Sequence, residues 1–129
     1  MKKILSYLIV PAALFWGLVT GCYYDEVIPD VEVYTGAEVT WSGDIIPIFN
    51  ASCNSAGCHA PGDVAPDLTS ANGYNALVNG EYLNIQDPEQ SELYQWVKGN
   101  RATTMPISGT DPQIVSAVLL WIQQGAQNN

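Results

Sequence analysis

The chain has 129 residues, with thirteen acids against four bases and a formal net charge of −9. A surface so acidic repels other polyanions, which excludes nucleic acid as a natural partner and favours a protein with a basic patch. The bland alternative is that the acidity serves solubility alone.

The first residues read as export machinery rather than fold. Met1-Lys2-Lys3 gives a short positive start, and Ile4 to Val19 is apolar apart from Ser6, Tyr7 and a few small residues. A charged start, an apolar run and small residues before a cleavage point make a secretory signal, and the run is short for a membrane span of ~20 apolar residues. Val19-Thr20-Gly21-Cys22 resembles a bacterial lipobox, which implies removal of residues 1–21 and lipidation of Cys22; an uncleaved anchor helix is the alternative. Either way the domain is expected outside the cytoplasm, tied to a membrane. Removing 1–21 takes Lys2 and Lys3 away, leaving Lys98 and Arg101 against thirteen acids and a net charge of −11. Tyr23, rather than an aspartate, points by analogy with enteric sorting to the outer membrane.

From Cys22 to about Thr40 there is no helix period, only acids, Pro29, Gly36 and a short alternation at Val31 and Val33. Residues 22–40 read as an acidic extended tether carrying a domain over 41–129, with Val27 to Tyr34 as the alternative of an edge strand. From Trp41 the pattern becomes short helices between long loops. Ser42 is placed to cap the first, with Asp44 in its first turn and Ile45, Ile48 and Phe49 on one face, and Pro47 keeps it brief.

Residues 53–59 read CNSAGCH, and His59 is the only histidine in the chain. Three chemistries suit this cluster. Zinc wants four ligands, and Cys53, Cys58 and His59 supply three, two of them adjacent, so a carboxylate would have to complete the site. A Cys53–Cys58 disulfide would close a tight loop over Asn54-Ser55-Ala56-Gly57 in an oxidising compartment, but leaves His59 unexplained. Covalent haem attachment uses all three residues, two thiols adding to the porphyrin vinyl groups and the histidine reaching the iron. The usual spelling has two residues between the cysteines and this one has four. NSAG must therefore bulge, with Gly57 free to take a positive φ.

Further along, Ser70 is placed to start a helix through Tyr74 and Leu77, stopped at Asn79-Gly80. Asp87-Pro88-Glu89-Gln90 is a helix start carrying Leu93, Trp96 and Val97 and ending at Lys98-Gly99. Asp111-Pro112 repeats the device for a last helix with Ile114, Val118, Trp121 and Ile122 on one stripe, stopping at Gly125. About ninety residues in four short helices is little material for a self-sufficient core, so a disulfide, metal or cofactor is expected in the middle. Met105, the one methionine beyond Met1, lies in the loop from Gly99 to Asp111 beside Pro106. A lone methionine in a helix is most often core filler; in a loop beside a proline it suits a thioether ligand to haem iron.

These landmarks, in this order, are similar to a class I cytochrome c domain of the small bacterial mono-haem kind. Asp44-Ile45-Ile46-Pro47-Ile48-Phe49 resembles the helix leading into the haem cysteines. Cys53, Cys58 and His59 match the attachment motif in a widened form known in some members. Ala65-Pro66-Asp67-Leu68 resembles the haem-packing loop, Ser91-Glu92-Leu93-Tyr94 the middle helix, Met105-Pro106 the distal loop and Trp121 to Ala126 the closing helix. The match covers about two thirds of the chain and leaves residues 22–40 without a counterpart.

The resemblance implies an all-α, cytochrome c-like fold of about four short helices around one covalently attached haem c. Cys53 and Cys58 would make thioethers, His59 would be the proximal iron ligand and Met105 the distal one. A downstream proline carbonyl orients the histidine in this family, with Pro66 the first candidate and Pro61 the second. Leu68, Leu93, Trp96 and Val97 are expected as haem-pocket or core walls. Arg101 would pair with a haem propionate or stand as an exposed helix-end charge, and Lys98 would only favour its helix dipole. The function implied is one-electron transfer by a monomer between extracytoplasmic redox partners, with no catalytic residues. Two competitors remain: a peroxidase-like haem enzyme opened by a labile Met105, and a metal-free, disulfide-stapled interaction module.

Overall fold

The computed structural model describes residues 36–129. The signal-like segment, Cys22 and the alternative strand Val27 to Tyr34 lie outside the described residues, as does most of the tether. The packed domain reaches back further than residue 41. Val39 is buried, its N–H donates to Gln124 Oε1 at 2.9 Å, and Gln124 Nε2 donates to the Ala37 carbonyl at 2.8 Å.

The first helix is capped by Thr40 rather than by Ser42. Thr40 Oγ1 accepts from Gly43 N at 3.1 Å, while Asp44 Oδ2 accepts from Thr40 N at 2.8 Å and Thr40 Oγ1 at 2.9 Å. The Thr40 hydroxyl thus satisfies the Gly43 N–H while the Asp44 carboxylate satisfies both donors of Thr40, much as in a capping box. A Cβ on Gly43 would lie 2.6 Å from Thr40 Oγ1, so the cap needs glycine there. Trp41–Ile45 forms a wide π turn, and α1, Ile46–Ser52, continues from it. Pro47, with no N–H to give, sits in the first turn of α1, where that donor is not missed.

Helix α2, Gly73–Asn79, starts three residues later than Ser70 would allow. The reason is Asp67, whose carboxylate accepts from Thr69 N at 2.9 Å, Thr69 Oγ1 at 2.6 Å and Asn72 Nδ2 at 2.8 Å. Those local bonds hold the segment in a turn that competes with helix. The Asp87-Pro88 start opens only a 3-10 turn, Pro88–Gln90, and α3 follows as Glu92–Val97. The break is at Ser91, buried and extended (φ −58°, ψ 131°), whose Oγ accepts from Asn84 N at 2.8 Å and so holds the chain to the preceding loop. Gly99 ends this helix at φ +82°, the left-handed conformation expected after a helix end.

The last helix, α4, is Pro112–Gln123, capped by Asp111, which accepts from Gln113 N at 2.8 Å. Its buried stripe is Ile114, Ala117, Val118, Trp121 and Ile122. The core sits where α4 meets the π turn. Trp41 packs on Trp121 (ring centroids 5.3 Å apart), edge-to-face on Phe49 (5.8 Å) and on Tyr74 (5.5 Å). Trp121 Nε1 donates to the Gln127 carbonyl at 3.0 Å, which satisfies the one polar atom of the buried indole. Trp41 N donates to Asn129 Oδ1 and Ser42 N to the Asn129 carbonyl, both at 2.9 Å, so the tail closes over the start of the first helix. The described residues are helical without a strand, and none of their helices is long and apolar enough to cross a membrane.

Candidate functional site

The end of α1 delivers Cys53 into a loop that folds back on itself. The residues NSAG form the expected bulge. Cys58 N donates to the Ser55 carbonyl at 2.9 Å, and His59 N donates to the Cys53 carbonyl at 3.1 Å, closing the insert at its base. Gly57 takes φ +81°, and its N–H donates to Asp63 Oδ2 at 2.8 Å. Asn54 Nδ2 donates to Asn50 Oδ1 at 2.7 Å and to the Leu68 carbonyl at 3.2 Å, tying the insert to the far side of the loop. Four residues between the cysteines are thus taken up without displacing either one from the same wall.

That wall bounds a cavity of about 490 Å³, within the ~300–1,000 Å³ of small-molecule sites. Cys53, Cys58, His59, Pro66 and Leu68 line one side, and Leu93, Trp96 and Val97 of α3 line another. Met105 lines it from the loop between α3 and α4, with Pro106, Ile107 and Ser108. The cysteines, the lone histidine and the methionine, remote in sequence, therefore face one space. Among its lining residues there is no Asp, Glu, Lys or Arg. A space of this kind suits a large, mainly apolar guest rather than an ion.

The histidine has a defined tautomer. Its Nδ1 lies 3.0 Å from the Pro66 carbonyl and 3.1 Å from the Val64 carbonyl. Carbonyls only accept, so Nδ1 carries a proton and donates; in the neutral ring the lone pair is then on Nε2. Pro66 is the acceptor the sequence pointed to; Val64 shares the role. His59 O in turn accepts from Leu68 N at 2.9 Å, which fixes the ring's backbone to the wall.

Cys53 and Cys58 are free thiols. Burial, with a smaller contribution from the neighbouring Cys58, pushes the Cys53 thiol up to about 11. A thiol so held stays protonated at neutral pH, which disfavours a hydrolytic nucleophile. No group of three or more His, Cys, Asp or Glu among the described residues is gathered to hold a metal ion.

Arg101 does not line the cavity. Its Nε donates to Glu92 Oε1 at 2.9 Å and its Nη2 to Glu92 Oε2, so the guanidinium is engaged by a carboxylate of this chain rather than aimed at the guest space. Lys98 stands over the Tyr94 ring, 5.1 Å from its centroid. Sequence reasoning missed Val64, Tyr82 and Ile107 as lining residues. All three sit outside the helices, where hydrophobic periodicity gives no signal. Comparison with family models, curated proteins and solved structures finds no match to this chain.

Proposed function

We propose that this chain is a mono-haem c-type cytochrome, held at a membrane through lipid on Cys22, that passes single electrons between extracytoplasmic redox proteins. The observation that carries this reading is the donor set around one apolar cavity: two free thiols and an Nδ1-protonated imidazole on one side, and a thioether sulfur from a separate loop. That set fits haem c, which needs two thiols for its vinyl groups and two soft or borderline axial donors. Haem c, when bound, supplies a reversible one-electron iron couple.

Cys53 and Cys58 would fasten the group, so that it could not dissociate. His59 Nε2 is the ring nitrogen with a lone pair to give. The carbonyls of Pro66 and Val64 hold the ring and raise its basicity through Nδ1. Met105 Sδ would supply the second donor, and a thioether in that role favours a higher potential than a second imidazole. Leu68, Leu93, Trp96 and Val97 keep water from the interior, which limits reorganisation when charge changes. Were His59 and Met105 both to hold the iron, no position would remain for substrate, and the residues around the cavity include no acid–base pair. This favours a carrier over an enzyme. The strongly acidic surface suits a partner with a basic patch.

The test is to mature the exported chain with haem-attachment machinery and record visible spectra, oxidised and reduced, with and without carbon monoxide. A reduced spectrum of low-spin thioether-linked haem, unchanged by carbon monoxide, is expected. A colourless product with Cys53 linked to Cys58 overturns the reading in favour of a stapled interaction module. Strong carbon monoxide binding by the reduced protein replaces the carrier with an open-site enzyme.

A further inference from the structure

The loop that presents Met105 is thinly held. Within residues 101–110 one backbone hydrogen bond is formed among the described residues, Gly109 N to the Pro106 carbonyl at 2.9 Å, and it is internal to the loop. The bonds of Asn100, from its N–H and its Nδ2 to Gln95, belong to the end of α3, and Asp111 caps α4. The polar fastening of this arm to a helix is made by Arg101, through the two bonds from its guanidinium to Glu92. Glu92 is the first residue of α3. It directly precedes Leu93 and stands four residues before Trp96, both of which line the cavity. The two side chains are about one-third exposed (35% and 37%). Two parallel bonds between planar groups fix direction as well as distance, which a single flexible charge contact does not.

We infer that Glu92 and Arg101 are a clip that keeps the Met105 arm closed on the cavity, which makes them positioning residues for the Met105 sulfur. The inference rests on the haem reading of the cavity. A thioether is a neutral, weak donor. Its competition with outside ligands depends on how strongly the arm concentrates it at the site, as for any tethered ligand. An arm released from α3 samples more positions, the local concentration of sulfur falls, and a small external ligand gains access to that side. Closure here is a property of the bond between Arg101 at the base of the arm and Glu92 on α3, not of Met105 itself.

The experiment uses the haem-loaded chain and imidazole as the probe, with binding to the oxidised protein followed in the visible spectrum. Glu92→Gln keeps the shape of the side chain and removes its charge. Imidazole affinity is expected to rise about threefold, the scale of a partly exposed ion pair. In a Met105→Ala background the same substitution should leave imidazole affinity unchanged, because no sulfur remains to be positioned. The exchanged pair, Glu92→Arg with Arg101→Glu, should restore the parent affinity. Cleavage within residues 101–108 by a broad-specificity protease should quicken in Glu92→Gln and slow again in the exchanged pair.

An unchanged affinity in Glu92→Gln, while Met105→Ala raises it, overturns the clip and leaves the haem reading standing. An equal gain from Glu92→Gln with and without Met105 also overturns it, since the pair would then act on the site by another route. If Met105→Ala itself leaves imidazole affinity unaltered, the ligand assignment fails and the clip with it.

Discussion

The two ends of this domain solve the same problem differently. At one end Trp41, Phe49, Tyr74 and Trp121 pack ring on ring, and the tail from Ala126 to Asn129 seals them. At the other, residues 53–68 and 99–111 run as loops around an apolar space of about 490 Å³ that their own side chains do not fill. The first end is complete from its own sequence. The second leaves that space unfilled, and it gathers there the two cysteines, the histidine and the loop methionine.

The largest expected effect tests that contrast. Trp121→Ala opens a void in the sealed end and should cost about 3–5 kcal/mol by denaturant unfolding, in loaded and unloaded protein alike. Leu68→Ala should behave otherwise: its cost should be greater in the loaded protein, where the side chain gains partner atoms. Equal costs for Leu68→Ala in the two forms would remove the distinction between the ends.

Cys53 gives the next test. Its thiol is raised from 9.0 to about 11 by burial, so the folded state holds that proton more tightly than the unfolded one. The associated stability is fully present below pH 9 and is lost as pH rises towards 11, up to about 2–3 kcal/mol in the unloaded polypeptide. Unfolding free energies measured across that range, with ultraviolet absorbance following thiolate, should show it. A thioether at Cys53 abolishes the effect, and Cys53→Ala serves as the control.

Thr40→Ala removes the cap that opens the sealed end. A loss of about 1 kcal/mol is expected by the same unfolding measurement, with little change at the cavity. The smallest effect belongs to the Glu92–Arg101 pair. Hydrogen bonding from Arg101 holds the Glu92 carboxyl below its ordinary value of 4.5. Its contribution is therefore present above that value and lost as pH falls through the lower folded-state value. Cleavage within 101–108 by a broad-specificity acid protease should quicken over that acid range relative to Glu92→Gln, and cleavage at neutral pH should quicken with added salt in the parent but not in Glu92→Gln.

Much of this organisation was legible because it follows periodic or local rules. The stripe on α4, the Asp111 cap and the left-handed glycines at 57, 99 and 125 need only neighbouring residues to specify them. The Pro66 carbonyl was named by the family resemblance rather than by any local pattern, and it lies 3.0 Å from His59 Nδ1. What escaped was decided by competition or by distance. Thr40 displaced Ser42 because Asp44 could answer its donors, Asp67 delayed α2, and buried Ser91 interrupted a helix that its sequence signals favoured. The Arg101–Glu92 pair escaped because the carboxylate, nine residues back on α3, is brought near only by the turn at Gly99. Val64 and Ile107 joined the cavity from loops whose course no pattern of hydropathy encodes.

The central claim is that the open end carries a porphyrin fastened through Cys53 and Cys58. Intact-mass measurement of the exported, matured chain tests it most directly. The account predicts one added haem mass that survives denaturation, and its complete loss when both cysteines are replaced by serine. An unmodified mass for the parent chain, matured beside a control cytochrome that does acquire haem, would contradict it.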